Sequence, residues 1–195
     1  MNKVFKILTL IVLCFIFLKC KNIKEAISIK QIEIKKPIIT RLTLEDTTIL
    51  NIKFPNKLII KNNSFTNKAF VKIEYEYNNI PYDRDYGISL FKKSNKSLKS
   101  ISTTGKKIIP SKKSLEYIYY TRHFVDSARS IQEQFKPYIE KMLSENKDTL
   151  HIGTVKEFKA KHAELFNKLT KNDSISIQFL DGKELGERIT VPVKW

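Results

Sequence analysis

Along most of this chain apolar and polar positions alternate with the period of a β-strand. Ile27 and Ile29, then Ile32 and Ile34, open the pattern. The apolar phase slips by one between Lys30 and Gln31, which predicts a β-bulge or a loose edge strand ending at Pro37. Leu42 and Leu44, then Leu50, Ile52 and Phe54, give two further strands parted by a turn at residues 45–48, with Pro55 and Asn56 closing the second. Leu58 and Ile60 follow. The clearest strand covers residues 69–77, where Ala69, Val71, Ile73, Tyr75 and Tyr77 face one way and Lys72, Glu74 and Glu76 the other, one face buried and one wet. Tyr86, Ile88 and Leu90 supply a hairpin partner. Residues 92–107, rich in Ser, Lys and Thr, read as an exposed loop. Leu115, Tyr117, Tyr119 and Thr121 alternate again, but Ile118 and Tyr120 make the opposite face apolar too, so this strand sits centrally or under a cover.

The period then becomes helical. Phe124, Ala128, Ile131, Phe135, Tyr138, Ile139 and Met142 recur at three- and four-residue spacing, with Asp126 or Ser127 placed to cap the start and Pro137 predicting a kink or a break. Thr154 with Glu157 forms a capping box for a second helix, whose apolar stripe is Val155, Phe158, His162, Leu165, Phe166 and Leu169. These helices are expected to cover the doubly apolar strand. Ile175, Ile177 and Phe179, a turn at Asp181-Gly182, then Ile189, Val191, Val193 and Trp195 read as a closing hairpin, with Pro192 marking its last strand as an edge. The fold class is therefore mainly β with α: an antiparallel β-sandwich with a helical hairpin inserted before a C-terminal β-hairpin. Residues 37–195 read as one such domain, with the helical excursion at residues 125–171.

Upstream of the strands the pattern is different. Lys3 and Lys6 precede an apolar run of 12 residues, 7–18, interrupted by Cys14 and followed by Lys19 and Cys20. A charged start, a short apolar middle and an exit point are the layout of an export signal, and the run is short against the roughly 20 residues of a membrane-spanning helix. With a cysteine at the exit, the segment resembles the signal of bacterial lipoproteins, although Phe17 and Lys19 stand where that family places an aliphatic and a small residue. The resemblance implies cleavage after residue 19 and an acyl anchor on Cys20, with residues 20–36 as a lipid-anchored tether and edge strand. The alternative is an ordinary secretory signal, in which Cys20 is a spare thiol or is removed. The strand spacing over residues 42–121 resembles immunoglobulin-like and fibronectin-type sandwiches.

Composition narrows the partners. Removing residues 1–19 takes away three lysines and no acids and leaves a formal charge of +13. That charge suits nucleic acid, anionic lipid or acidic glycan. Of the 36 basic residues 31 are lysine, whereas phosphate and base recognition favours the planar guanidinium; with an export signal in front, no nucleic-acid partner is expected. Only Cys14 and Cys20 exist, so no disulfide staples the domain and its core must hold it.

Candidate chemistry is sparse. Tyr82, Asp83, Asp85 and Tyr86 form a loop constellation that offers a possible binding surface; two local acids with Arg84 between them fall short of the six or more oxygens a calcium site needs. The three histidines, His123, His151 and His162, have no metal-ligand spacing, and no nucleophile or phosphate-loop motif occurs. No catalytic residue, metal or cofactor is assigned. The tyrosines of residues 75–120 are read as sandwich core with hydroxyls at its rim. Three functions follow: a lipid-anchored envelope protein acting as a protein-interaction module, an envelope hydrolase with an unrecognised site, or a binder of acidic glycan or anionic membrane. The expected place is a bacterial cell envelope, facing the periplasm or the cell surface, or in soluble secreted or periplasmic form if Cys20 carries no lipid.

Overall fold

In the computed structural model, residues 23–45, 47–78, 80–81, 87–94 and 97–195 are described. Cys20 and the constellation Tyr82, Asp83, Asp85 and Tyr86 lie outside them. The molecule is mainly β, built from three antiparallel sheets and a helical layer. A short helix α1 (Ile23–Ala26) leads into β1 (Ile27–Ile32). β1 pairs with β4 (Pro55–Asn62), which pairs with β10 (Ser114–Thr121), then β7 (Ile88–Ser94) and β8 (Ser97–Ile101), to complete the first sheet. The second sheet runs β14 (Glu184–Pro192), β13 (Ser174–Asp181), β5 (Lys68–Tyr77), with β6 (Ile80–Pro81) and β9 (Thr104–Ile109) both on the free side of β5. These two sheets close over one core, Leu58, Ile60, Leu90 and Tyr119 from the first meeting Phe70, Ile73, Ile177 and Phe179 from the second.

β2 (Ile39–Thr43) and β3 (Thr48–Lys53) leave the sandwich and form the third sheet with β11 (His123–Phe124) and β12 (Thr149–His151). The strands of residues 42–54 thus make a second layer rather than sandwich edges. The reason is local. Phe54 and Pro55 hand the chain from β3 to β4 between sheets, and Ile38, Leu42, Ile49, Ile52 and Phe54 share one buried face that needs a cover of its own. α2 (Arg129–Gln132), a 3₁₀ turn at Glu133–Phe135, α3 (Lys136–Ser144), α4 (Val155–Lys161) and α5 (Ala163–Thr170) provide it through Phe135, Met142, Phe158, Leu165 and Phe166. The helices therefore cover the third sheet and not β10, which is central as expected, with Tyr120 on its outer face packed against Phe91.

Pro137 breaks the helical run by standing in the first turn of α3, where its missing N–H costs nothing. The capping box of Thr154 and Glu157 is formed. Phe124 belongs to β11 and Ala128 precedes α2, so the first helix starts later than the apolar spacing suggests, after the Asp126 carboxylate accepts the Ala128 N–H at 2.9 Å. No bulge occurs in β1, which pairs residue for residue with β4 from Ile27↔Asn62 to Ile32↔Lys57. The phase slip instead brings Gln31 to the sandwich rim, where it accepts the Tyr119 hydroxyl at 3.0 Å and donates to the Pro192 carbonyl at 2.8 Å. Nor are residues 92–107 a loop: they carry the end of β7, all of β8 and the start of β9, held by backbone pairing, with β8 and β9 as outer strands. Among the described residues no helix is long and apolar enough to cross a membrane.

Candidate functional site

The two cores meet where β10 passes into β11. Thr121 ends the sandwich strand and His123 starts the strand of the third sheet, so the imidazole is sealed at the junction, 2% exposed. Four rings surround it, Phe54 and Tyr77 at centroid distances of 5.0 Å, Tyr75 at 6.0 Å and Trp195 at 6.4 Å. From the other side comes Asp173, between α5 and β13, where Asn172 takes a left-handed turn (φ 56°) that ends the helical layer. The Tyr75 hydroxyl donates to Asp173 Oδ2 at 2.7 Å, and His123 Nδ1 lies 3.9 Å from the same oxygen. On its far edge His123 Nε2 is 2.8 Å from Thr121 Oγ1.

An acid, an imidazole and a hydroxyl thus stand in a row. Burial shapes their protonation in opposite senses. It drives His123 down to about 3, the Leu169 carbonyl opposing it only in part, so the ring is neutral at ordinary pH. It pushes Asp173 up to about 6, against the hydrogen bonds from Tyr75 and the Asn78 backbone that favour the carboxylate. Tyr75 is pushed well above the usual phenol range, first by burial and then by the Asp173 charge.

A cleft of about 410 Å³ opens beside this row, with Tyr77, Arg122, His123, Leu169, Lys171 and Asp173 among its walls. Lys168 faces Asp126 at 4.0 Å on its rim. The cleft does not give the row a nucleophile. Thr121 is fully buried, and its hydroxyl lies between the Phe54 N–H and carbonyl, 3.3 Å from each. A neutral histidine with so low a pKa is also a weak base at neutral pH. The row satisfies the Tyr75 and Thr121 hydroxyls at a seam between two apolar cores, while His123 Nδ1 is buried there without a hydrogen-bond partner.

The other sequence candidates are dispersed. His162 closes α4 and lies buried beside the rings of Phe158 at 4.8 Å and Phe135 at 6.2 Å, and His151 is exposed on β12. Tyr75, Tyr117, Tyr119 and Tyr120 are buried in the sheets, as their alternation implied. Asp173 and Thr121 escape a reading by sequence, because an acid after a helix looks like a stop signal and a strand-end threonine looks like a turn. Among the described residues no three His, Cys, Asp or Glu side chains gather as a metal site. No family model matches the chain, and no curated protein matches it.

Proposed function

We propose that this chain is a lipid-anchored protein of the bacterial cell envelope, held to a membrane by an acyl group on Cys20 and acting as a protein-interaction module. The observation that carries this reading is positional. Ile23, the first described residue, packs on the sandwich core three residues after the cysteine that closes an export-type segment. The described residues that follow build one set of packed sheets and helices, and Asp173 and His123 are buried at the core junction. Surface is what it has to offer. Leu44, Leu50, Phe124 and Leu143 are exposed around the third sheet and its helices, beyond the end of the sandwich opposite Ile23.

The anchor is tested by growing cells on a labelled fatty acid. Wild type is expected to carry the label and to fractionate with membranes, while Cys20→Ser is released or left unprocessed; equal labelling of the two removes the anchor. A second reading, an envelope hydrolase, draws on the cleft beside His123 and Asp173. It predicts hydrolysis of an ester or peptide panel that disappears in Asp173→Asn, and a panel untouched by the wild-type protein leaves the interaction reading alone.

A further inference from the structure

The end of the sandwich at which the chain enters has an unusual surface. The Asn63 N–H bonds the Ala26 carbonyl at 2.7 Å, so α1 lies against the loop joining β4 to β5. That loop carries Phe65, 87% exposed, with Lys112 Nζ 3.8 Å from its ring centre. Next to it, on the outer face of the second sheet, four apolar residues stand in cross-strand register. Ile108 is opposite Ala69, Ala69 opposite Leu180, and Leu180 opposite Leu185. The two ends of this row are wet, Ile108 at 53% and Leu185 at 72%. Further along the same face the row gives way to an ionic network in which Arg188 reaches Glu74 at 2.7 Å and Glu76 at 2.8 Å. On this face of the second sheet the apolar surface is thus confined to the entry end. Lysines outnumber acids there: Lys61, Lys68, Lys106, Lys112, Lys113 and Lys183 against Glu25, Asp181 and Glu184, with Lys24 and Glu187 paired at 3.0 Å.

Reach identifies what covers this surface. Three Cα steps separate Cys20 from Ile23, at most about 11 Å of chain. An acyl group on Cys20 holds this end, and no other, against the head groups. We propose that the entry end of the sandwich rests on an anionic lipid surface, with Phe65, Ile108 and Leu185 entering the head-group boundary and the lysines around them over acidic head groups. Exposed apolar side chains beside lysines give an interface both of its requirements, area to bury and charge to attract. The inference rests on the acyl-anchor reading of Cys20 and adds to it an orientation. β5 spans 10 residues from this end to the cleft, so the cleft and helical layer are held about 30 Å from the bilayer at about 3.3 Å per residue.

The test uses the chain from Lys21 onward, which has no acyl site and contains every residue of both cores. Its binding to vesicles of phosphatidylcholine with about one-third phosphatidylglycerol is compared with that of the triple variant Phe65→Ser, Ile108→Ser, Leu185→Ser. A matching triple at the far end, Leu44→Ser, Leu50→Ser, Leu143→Ser, is the control, and thermal melts verify that all three proteins are folded. The expected result is at least a tenfold loss of vesicle affinity for the first triple, none for the control, and little binding by any of them to pure phosphatidylcholine. Equal binding by the first triple and its parent, or loss of binding in the control, overturns the proposal. Fatty-acid labelling of Cys20 in cells separates the two ideas. Labelling without dependence on the triple leaves the anchor and removes the orientation, whereas dependence on the triple without labelling leaves a lipid-binding face and removes the anchor.

Discussion

At the scale of single residues, His123 and Asp173 make opposite contributions to stability. Asp173 has its folded pKa raised from 3.8 to about 6, so its stabilising share is complete below 3.8 and is lost as pH rises through 6. His123 has its pKa lowered from 6.5 to about 3, so its share is complete above 6.5 and is lost as pH falls toward 3. Between about pH 4 and 6 the native state holds one proton more on the acid and one fewer on the imidazole than the unfolded chain, and the pair nearly cancels. His123→Gln is expected to unmask the acid. Relative to the parent, its stability should fall with rising pH across that window by about 1.4 kcal/mol per unit, about 3 kcal/mol in all. Asp173→Asn should do the reverse and lose stability as pH falls. Denaturant unfolding at several pH values measures both, and parallel profiles for parent and variants would show that the two groups are not coupled to folding in this way. None of this was legible beforehand. A sequence displays a histidine and an acid 50 residues apart; only the meeting of β11 with the end of α5 makes them neighbours.

At the scale of elements, legibility followed the strength of local pattern. The alternation over residues 72–77, the Pro137 break, the Thr154–Glu157 box and the closing hairpin at Asp181-Gly182 each rest on a signal inside one element, and each is present. At the start of β5, by contrast, a register shift beside Val71 turns the strand over, so that Phe70 is buried and Ala69 faces outward. The fold class was legible for the same reason. Residues 92–107 failed because outer strands are held by their neighbours' backbone, which leaves no apolar alternation to read; the buried Ile109, register partner of Lys68, lies just past the segment. The destination of the helices failed because an apolar stripe demands a partner without naming it. That demand itself is testable. Phe135 and Phe166 are 0% and 2% exposed in the second core, and Phe166 stands 5.2 Å from the Phe54 ring. Truncating either to Ala is expected to cost about 3–5 kcal/mol, read as a lower denaturation midpoint. Melts unmoved by both changes would mean that the helical layer is not packed on the third sheet.

At the scale of the whole molecule, Trp195 joins what the sheets divide. Its indole touches both cores, 5.6 Å from Phe54 and 6.1 Å from Phe166, and the adjacent Lys194 carbonyl accepts the Asn56 amide at 2.9 Å. Trp195→Ala is expected to remove about 3 kcal/mol and to split one unfolding transition into two, the helical signal melting before the strand signal. Coincident transitions in the variant would mean that Phe54 and the His123 seam suffice to couple the layers. The ladder between β1 and β4 has a mechanical side. A pull arriving at Ile23 runs along the axis of β1, while its six register pairs with β4 lie across that axis. The bonds are loaded together, in shear, instead of being peeled one by one from an end. With β14 laid along β13 and leading to Trp195 at the opposite end of the sandwich, tension between the two ends shears both outer strands at once. A domain without disulfides thereby gains resistance to force applied along its strand axes.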